Sequence, residues 1–171
     1  MNNTLEISEV YVVTPEVRLI SAEKAQGIID SKVHEDIAKL QNNIIFVDFS
    51  KIKSFSDPNL AAMCVVVCTS DGSFGTLSHL QTNADVKAWA DELKKFHPSP
   101  TPVCIAGGIS GISDELLKNI TSELTDRDFI VPETDSDIDY GGSNNTTRRV
   151  CLFKNKLKIT QNPYGHMRRN L

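Results

Sequence analysis

The stretch Cys64-Val-Val-Val-Cys-Thr-Ser-Asp-Gly-Ser-Phe-Gly-Thr-Leu-Ser-His79 decides how this chain is read. Cys64 to Cys68 is its most strand-like segment, and continuous apolarity there predicts burial on both faces. Asp71-Gly72-Ser73 is a turn signal. Phe74 to Leu80 then returns as the second strand of a hairpin. Antiparallel strands joined by a tight turn bring their outer ends together, so the thiol of Cys64 and the imidazole of His79 are placed within reach of each other.

Working outward, Ile44 to Phe49 is a β-rich run, Val103 to Ala106 a short buried strand, and Phe129 to Val131 another. Glu9 to Val13 alternates weakly, as a short strand would. Ser21 reads as the N-cap of a helix running to about Leu40, because Ala25, Ile28, Ile29, Val33, Ile37 and Leu40 fall at three- and four-residue spacings. A second helix spans Ala84 to Phe96, with Asn83 as cap and Val86, Trp89, Ala90, Leu93 and Phe96 on one stripe. His97-Pro-Ser-Pro-Thr-Pro102 ends it, since proline cannot continue a helix. Ser113 caps a third helix through Leu116, Leu117, Ile120 and Leu124. Arg149 to Phe153 and Leu157 to Thr160 form a closing hairpin, and 161–171 has little to bury and reads as a mobile tail. Helices interspersed irregularly among strands predict an α+β fold with a mixed sheet.

The chain has 171 residues with 18 Lys+Arg against 22 Asp+Glu, the length of a single domain by the rule of roughly 100–200 residues each. We take 1–160 as that domain. No run approaches the ~18 apolar residues of a membrane-spanning helix, and Met1-Asn-Asn-Thr-Leu-Glu lacks the basic and apolar regions of a secretory signal. Apart from Arg148-Arg149 and Arg168-Arg169 no basic stripe exists, which argues against a nucleic-acid partner. Cys64, Cys68, Cys104 and Cys151 lie in or beside apolar runs, as expected of reduced thiols in the cytoplasm.

Cys64 and His79 are the residues most suited to chemistry. An imidazolium beside a thiol lowers its pKa and later donates a proton to a leaving group. On spacing alone, a buried strand cysteine and an unrelated surface histidine is the commoner reading of such a pair. Cys68 points to the same side as Cys64, but Cys-x3-Cys with one histidine lacks the second ligand pair of a zinc site. Gly107-Gly108-x-x-Gly111 lacks both the dinucleotide pattern and the P-loop lysine, so its glycines are expected to allow a tight turn and close backbone approach. Asp135 to Gly141 departs from an EF-hand loop, with Thr146 at the twelfth position. No metal and no organic cofactor is expected. His97 falls in a proline-rich loop, and Gln81 is a polar neighbour of His79.

Taken together, three stretches resemble the chemoreceptor glutamine deamidase (CheD) family. Cys64 to His79 is similar to that family's Cys-Val-Ala-Val, turn and Gly-x-x-x-His strand. Ile105-Ala-Gly-Gly-Ile-Ser110 is similar to its Gly-Gly-Ala segment. Asp139-Tyr-Gly-Gly-Ser-Asn-Asn-Thr-Thr-Arg-Arg-Val150 resembles its Asp-x-Gly-Gly-Asn followed by Arg-x-Val. They occur in the family's order over roughly residues 60–160, and residues 1–50, with their helix, are a divergent N-terminal element without a match in the family. The resemblance implies a mixed β-sheet sandwich with flanking helices and a protein-glutamine deamidase with catalytic Cys64 and His79, acting on a protein that presents a glutamine side chain. The family's Thr-x-x-x-Gly-Ser-Cys is here Pro58-Asn-Leu-Ala-Ala-Met-Cys64, so the threonine that would orient the histidine is replaced, leaving Ser56, Asp57 or Asn59 for the third role. The cytotoxic necrotizing factor deamidase toxins, more distant relatives by this resemblance, use a backbone carbonyl there. Two alternatives stand beside the enzyme: a catalytically silent module of this fold that docks a partner, and a secreted effector that deamidates a host protein in the host cytosol.

Overall fold

The computed structural model describes residues 17–57, 60–61, 64–109, 111–131, 138–139, 147–154, 156–162 and 165–170. Among the described residues, eleven strands form two sheets. β1 (Leu19–Ser21), β2 (Ile44–Asp48), β5 (Val65–Ser70), β6 (Phe74–Leu80), β7 (Val103–Gly107) and β8 (Ile138–Asp139) make a six-stranded sheet in the order β1-β2-β6-β5-β7-β8. It is mixed, because β1 runs parallel to β2 and β8 parallel to β7. β3 (Ser54–Ser56), β9 (Thr147–Phe153), β10 (Lys156–Asn162) and β11 (Gly165–Asn170) make the second sheet in the order β11-β10-β9-β3, with β4 (Leu60–Ala61) also paired to β9. This is the expected α+β sandwich with flanking helices.

Strand alternation sorts the core into two layers. Val66 and Cys68 of β5, Leu77 of β6, and Cys104 and Ala106 of β7 face Phe55 of β3 and Val150 and Leu152 of β9 between the sheets. Val65, Val67, Leu80, Val103 and Ile105 point the other way, onto the helices. Those helices are α3 (Val86–Phe96), which buries Val86, Trp89, Ala90 and Leu93, and α4 (Asp114–Thr125), which buries Leu116, Ile120 and Leu124. Trp89 is almost wholly buried, and its indole N–H donates to Ser78 Oγ at 2.8 Å, so the polar end of a large apolar side chain is satisfied.

The second strand of the β5–β6 hairpin has the anticipated bounds, the first runs Val65–Ser70 where Cys64 to Cys68 was expected, and Gly72 closes the turn with φ +95°. Elsewhere the structure corrects the sequence reading. The first helix is two: α1 (Ala22–Asp30), capped by Ser21 Oγ accepting from Lys24 N, and α2 (His34–Ala38). Between them Lys32 is left-handed (φ 58°) and Ser31 Oγ donates to the Ile28 carbonyl, which ends the first helix early. The cap of α3 is Asp85 rather than Asn83, its carboxylate accepting from Ala88 N at 3.1 Å. Phe129 to Val131 contributes one bridge, Ile130 to Pro102, not a strand: Ile130 N donates to the Thr101 carbonyl and its own carbonyl accepts from Val103 N. The segment expected as a tail pairs with β10 from Gly165 to Asn170; backbone pairing needs no apolar residues to bury. Glu9 to Val13 lies outside the described residues. No helix among the described residues is long and apolar enough to cross a membrane.

Candidate active site

The register Val66↔His79 places Cys64, one residue before β5, diagonally across from His79 on the face that looks into the gap between the sheets. Diagonal neighbours on one face stand about 7–8 Å apart. The hairpin therefore places the two on one face at its open end. His79 is not a surface residue: both it and Cys64 are only 6% exposed.

The opposing sheet supplies the third residue. Asp57 follows β3 and is 2% exposed. Its N–H donates to the Val150 carbonyl at 3.0 Å and its Oδ1 accepts from Val150 N at 2.6 Å. Its Oδ2 lies 3.2 Å from His79 Nδ1. One carboxylate oxygen is thus tied to β9 and the other meets the imidazole. Of the three residues offered for this role, Asp57 is the one placed against His79. Ser56 is half-buried on the alternate face of β3, opposite Cys151, because strand alternation sends consecutive side chains to opposite sides. Asn59 lies outside the described residues. The sequence signal for Asp57 was Asp57-Pro58, since the residue before proline is biased to extended backbone and so continues the strand inward.

His79 Nε2 is buried and hydrogen-bonded to no group among the described residues. Cys64 is accordingly not hydrogen-bonded to it in this state. The expected low-pKa thiol is corrected too: burial, and next the Asp57 charge, push Cys64 up to about 11. At neutral pH the resting site holds a thiol rather than a thiolate.

Gly107 fits against Cys64. Its φ is +100°, and a Cβ there would stand 2.5 Å from the Cys64 carbonyl oxygen, so a side chain is excluded twice over. Gly108 is also left-handed (φ 95°) and leads to Ile109, whose N–H donates to Ser113 Oγ at 3.0 Å. Ser113 thereby holds the turn before α4 instead of capping the helix through its side chain.

The remaining candidates are elsewhere. Cys68 sits inside the inter-sheet core directly opposite Cys104, its thiol pushed well up by burial and then by Cys104. Gln81 bonds through its side chain to Gln41 and not to the site. Asp135 to Gly141 lies outside the described residues apart from β8. His97, expected in a loop, is 2% exposed and bonded to Thr69 Oγ1 at 2.7 Å. No protein-family model matches this chain, and no curated protein is significantly similar to it.

Proposed function

We propose that the chain is a cysteine amidohydrolase that converts a glutamine side chain of a partner protein to glutamate, releasing ammonia. The observation that carries this reading is the buried Asp57–His79 pair whose Nε2 is uncommitted and lies on the same sheet face as Cys64. Support also comes from the resemblance of Cys64 to His79, Ile105 to Ser110 and Asp139 to Val150 to the chemoreceptor glutamine deamidases.

With the resting thiol protonated, the nucleophile is generated within the reaction. His79 Nε2 takes the Cys64 proton, and Asp57 stabilises the imidazolium so formed. The sulfur attacks the carboxamide carbon, and the main-chain N–H of Cys64 meets the developing oxyanion. The C–N bond then breaks as His79 returns its proton to the departing ammonia. His79 next activates water against the thioester, yielding the carboxylate and restoring the thiol. No step draws on a metal or organic cofactor.

The test is ammonia release from glutamine-containing proteins and peptides. Cys64→Ala and His79→Ala abolish it with the fold retained, and Asp57→Asn lowers it by about 10⁴, as loss of the orienting carboxylate does in a catalytic triad. Release that survives in Cys64→Ala overturns the proposal. A second reading, a silent module of this fold that docks a signalling partner, is favoured by the buried, protonated state of Cys64. It predicts partner capture that is unchanged in Cys64→Ser.

A further inference from the structure

His79 is held by Asp57 through its ring, and its backbone is held from the opposite side of the sheet. The β2–β6 ladder runs from Asp48↔Phe74 to Ile45↔Leu77. Two residues beyond that last pair, β6 carries His79, and there the chain entering β2 turns aside. Asn42 stands at that turn with φ 66°, a left-handed conformation that asparagine tolerates far better than most residues. The turn aims the Asn42 N–H at the His79 carbonyl, 2.8 Å away. Its side-chain Oδ1 accepts from Gln81 N, also at 2.8 Å. One residue therefore grips β6 on both sides of Leu80.

The grip is itself anchored. Asn43 Nδ2 donates to the Lys39 carbonyl at 2.8 Å, and Asn43 Oδ1 accepts from Arg18 N at 2.9 Å. Gln41 meets Gln81 through their side chains. The 41–43 turn thus fastens α2 and the entry to β1 to the end of the strand that bears the imidazole.

We propose that Asn42 is a positioning residue for His79. Its left-handed turn fixes the β6 main chain, and so the height of the imidazole above Cys64, while Asp57 fixes the ring's rotation. The proposal rests on the Cys64–His79 reading above. It gives the N-terminal segment, which has no counterpart in the resemblance, a task at the site: holding one end of the catalytic strand.

The experiment compares Asn42→Ala, Asn42→Gly and Asn42→Asp in the full chain, with His79→Ala as reference. Two quantities are read: the NMR resonances of the His79 ring, and the rate of iodoacetamide alkylation of Cys64 at neutral pH. Asn42→Ala disfavours the left-handed turn. It shifts the ring resonances and lowers the alkylation rate at least about tenfold, toward the His79→Ala value, in line with the cost of displacing a catalytic group by about 1 Å. Asn42→Asp keeps the Oδ1 acceptor and restores both. Should Asn42→Ala fail to fold, Asn42→Gly decides: it keeps the turn but loses the Gln81 acceptor, and both readouts move in the same direction by less. Unmoved ring resonances in the folded variant overturn the proposal whatever Cys64 does. Moved resonances with alkylation unchanged in both Asn42→Ala and His79→Ala overturn the Cys–His couple, and the positioning role with it.

Discussion

The β5–β6 hairpin carries a buried histidine environment at each end, and the two are built to opposite purposes. At the open end, on the inter-sheet face, His79 has Nδ1 at Asp57 and leaves Nε2 without a partner. At the turn end, on the helix face, His97 Nε2 is bonded to Thr69 Oγ1, which in turn lies 2.6 Å from Thr76 Oγ1. Its Nδ1 stands 3.5 Å from Asp71, beyond ordinary hydrogen-bond length. Both assemblies contain a histidine, a carboxylate and a neighbouring nucleophile-type residue. The difference is the commitment of Nε2. Thr69 occupies it at His97 and joins α3 to the sheet, whereas at His79 it has no partner among the described residues.

The largest effect that separates the two ends comes from their carboxylates. Asp57 is 2% exposed and Asp71 is 42% exposed at the side chain. Asp57→Ala strands His79 and Val150 N in the core and costs about 3–5 kcal/mol, the range for breaking a buried pair. Asp71→Ala loses a carboxylate open to solvent that accepts from Ser73 N and Phe74 N, for about 1 kcal/mol. Urea denaturation of both variants checks the contrast, and equal losses would erase the distinction between a buried and a peripheral carboxylate.

Next in size are the glycines. Gly107→Ala meets the Cys64 carbonyl and adopts a disfavoured φ, so overpacking of about 1–3 kcal/mol adds to left-handed strain of about 1–2 kcal/mol. Gly72→Ala carries the strain alone, because nothing lies within 4 Å of the added carbon. Thermal melts rank the two, and amide spectra of Gly107→Ala show the disturbance reaching Cys64.

The smallest effect is a pH dependence at His97. Burial lowers its pKa below 6.5, with Asp71 offsetting part of that shift. The unfolded chain therefore binds the proton more readily. Stability from this residue is full above about pH 6.5 and declines as pH falls from there toward the lowered folded pKa. His97→Gln cannot titrate, so its stability curve is flatter over that window. An identical acid limb in variant and parent assigns the decline to other groups.

Much of this architecture is legible in residue order. The hairpin needed only two β-rich runs flanking Asp71-Gly72-Ser73, and the stripes of α3 and α4 followed from three- and four-residue spacing. What eluded that reading has a common origin in contacts between distant segments. The break at Lys32, the choice of Asp85 over Asn83 as cap, and the pairing of β11 each turn on which neighbouring backbone group is available. Periodicity carries no information about that.

The site divides along the same line. Sequence by itself determined that Cys64 and His79 share one end of one hairpin, because strand alternation and turn length fix both face and register locally. The tertiary structure alone decided that Asp57 lies against His79, that Gly107 must lack a side chain, and that burial raises the Cys64 thiol pKa. These depend on the second sheet, which brings β3 and β9 over His79 and removes Cys64 from water, and on β7, which lays Gly107 against the Cys64 carbonyl. Desolvation and through-space charge are properties of the packed molecule, and no segment possesses them before the two sheets meet.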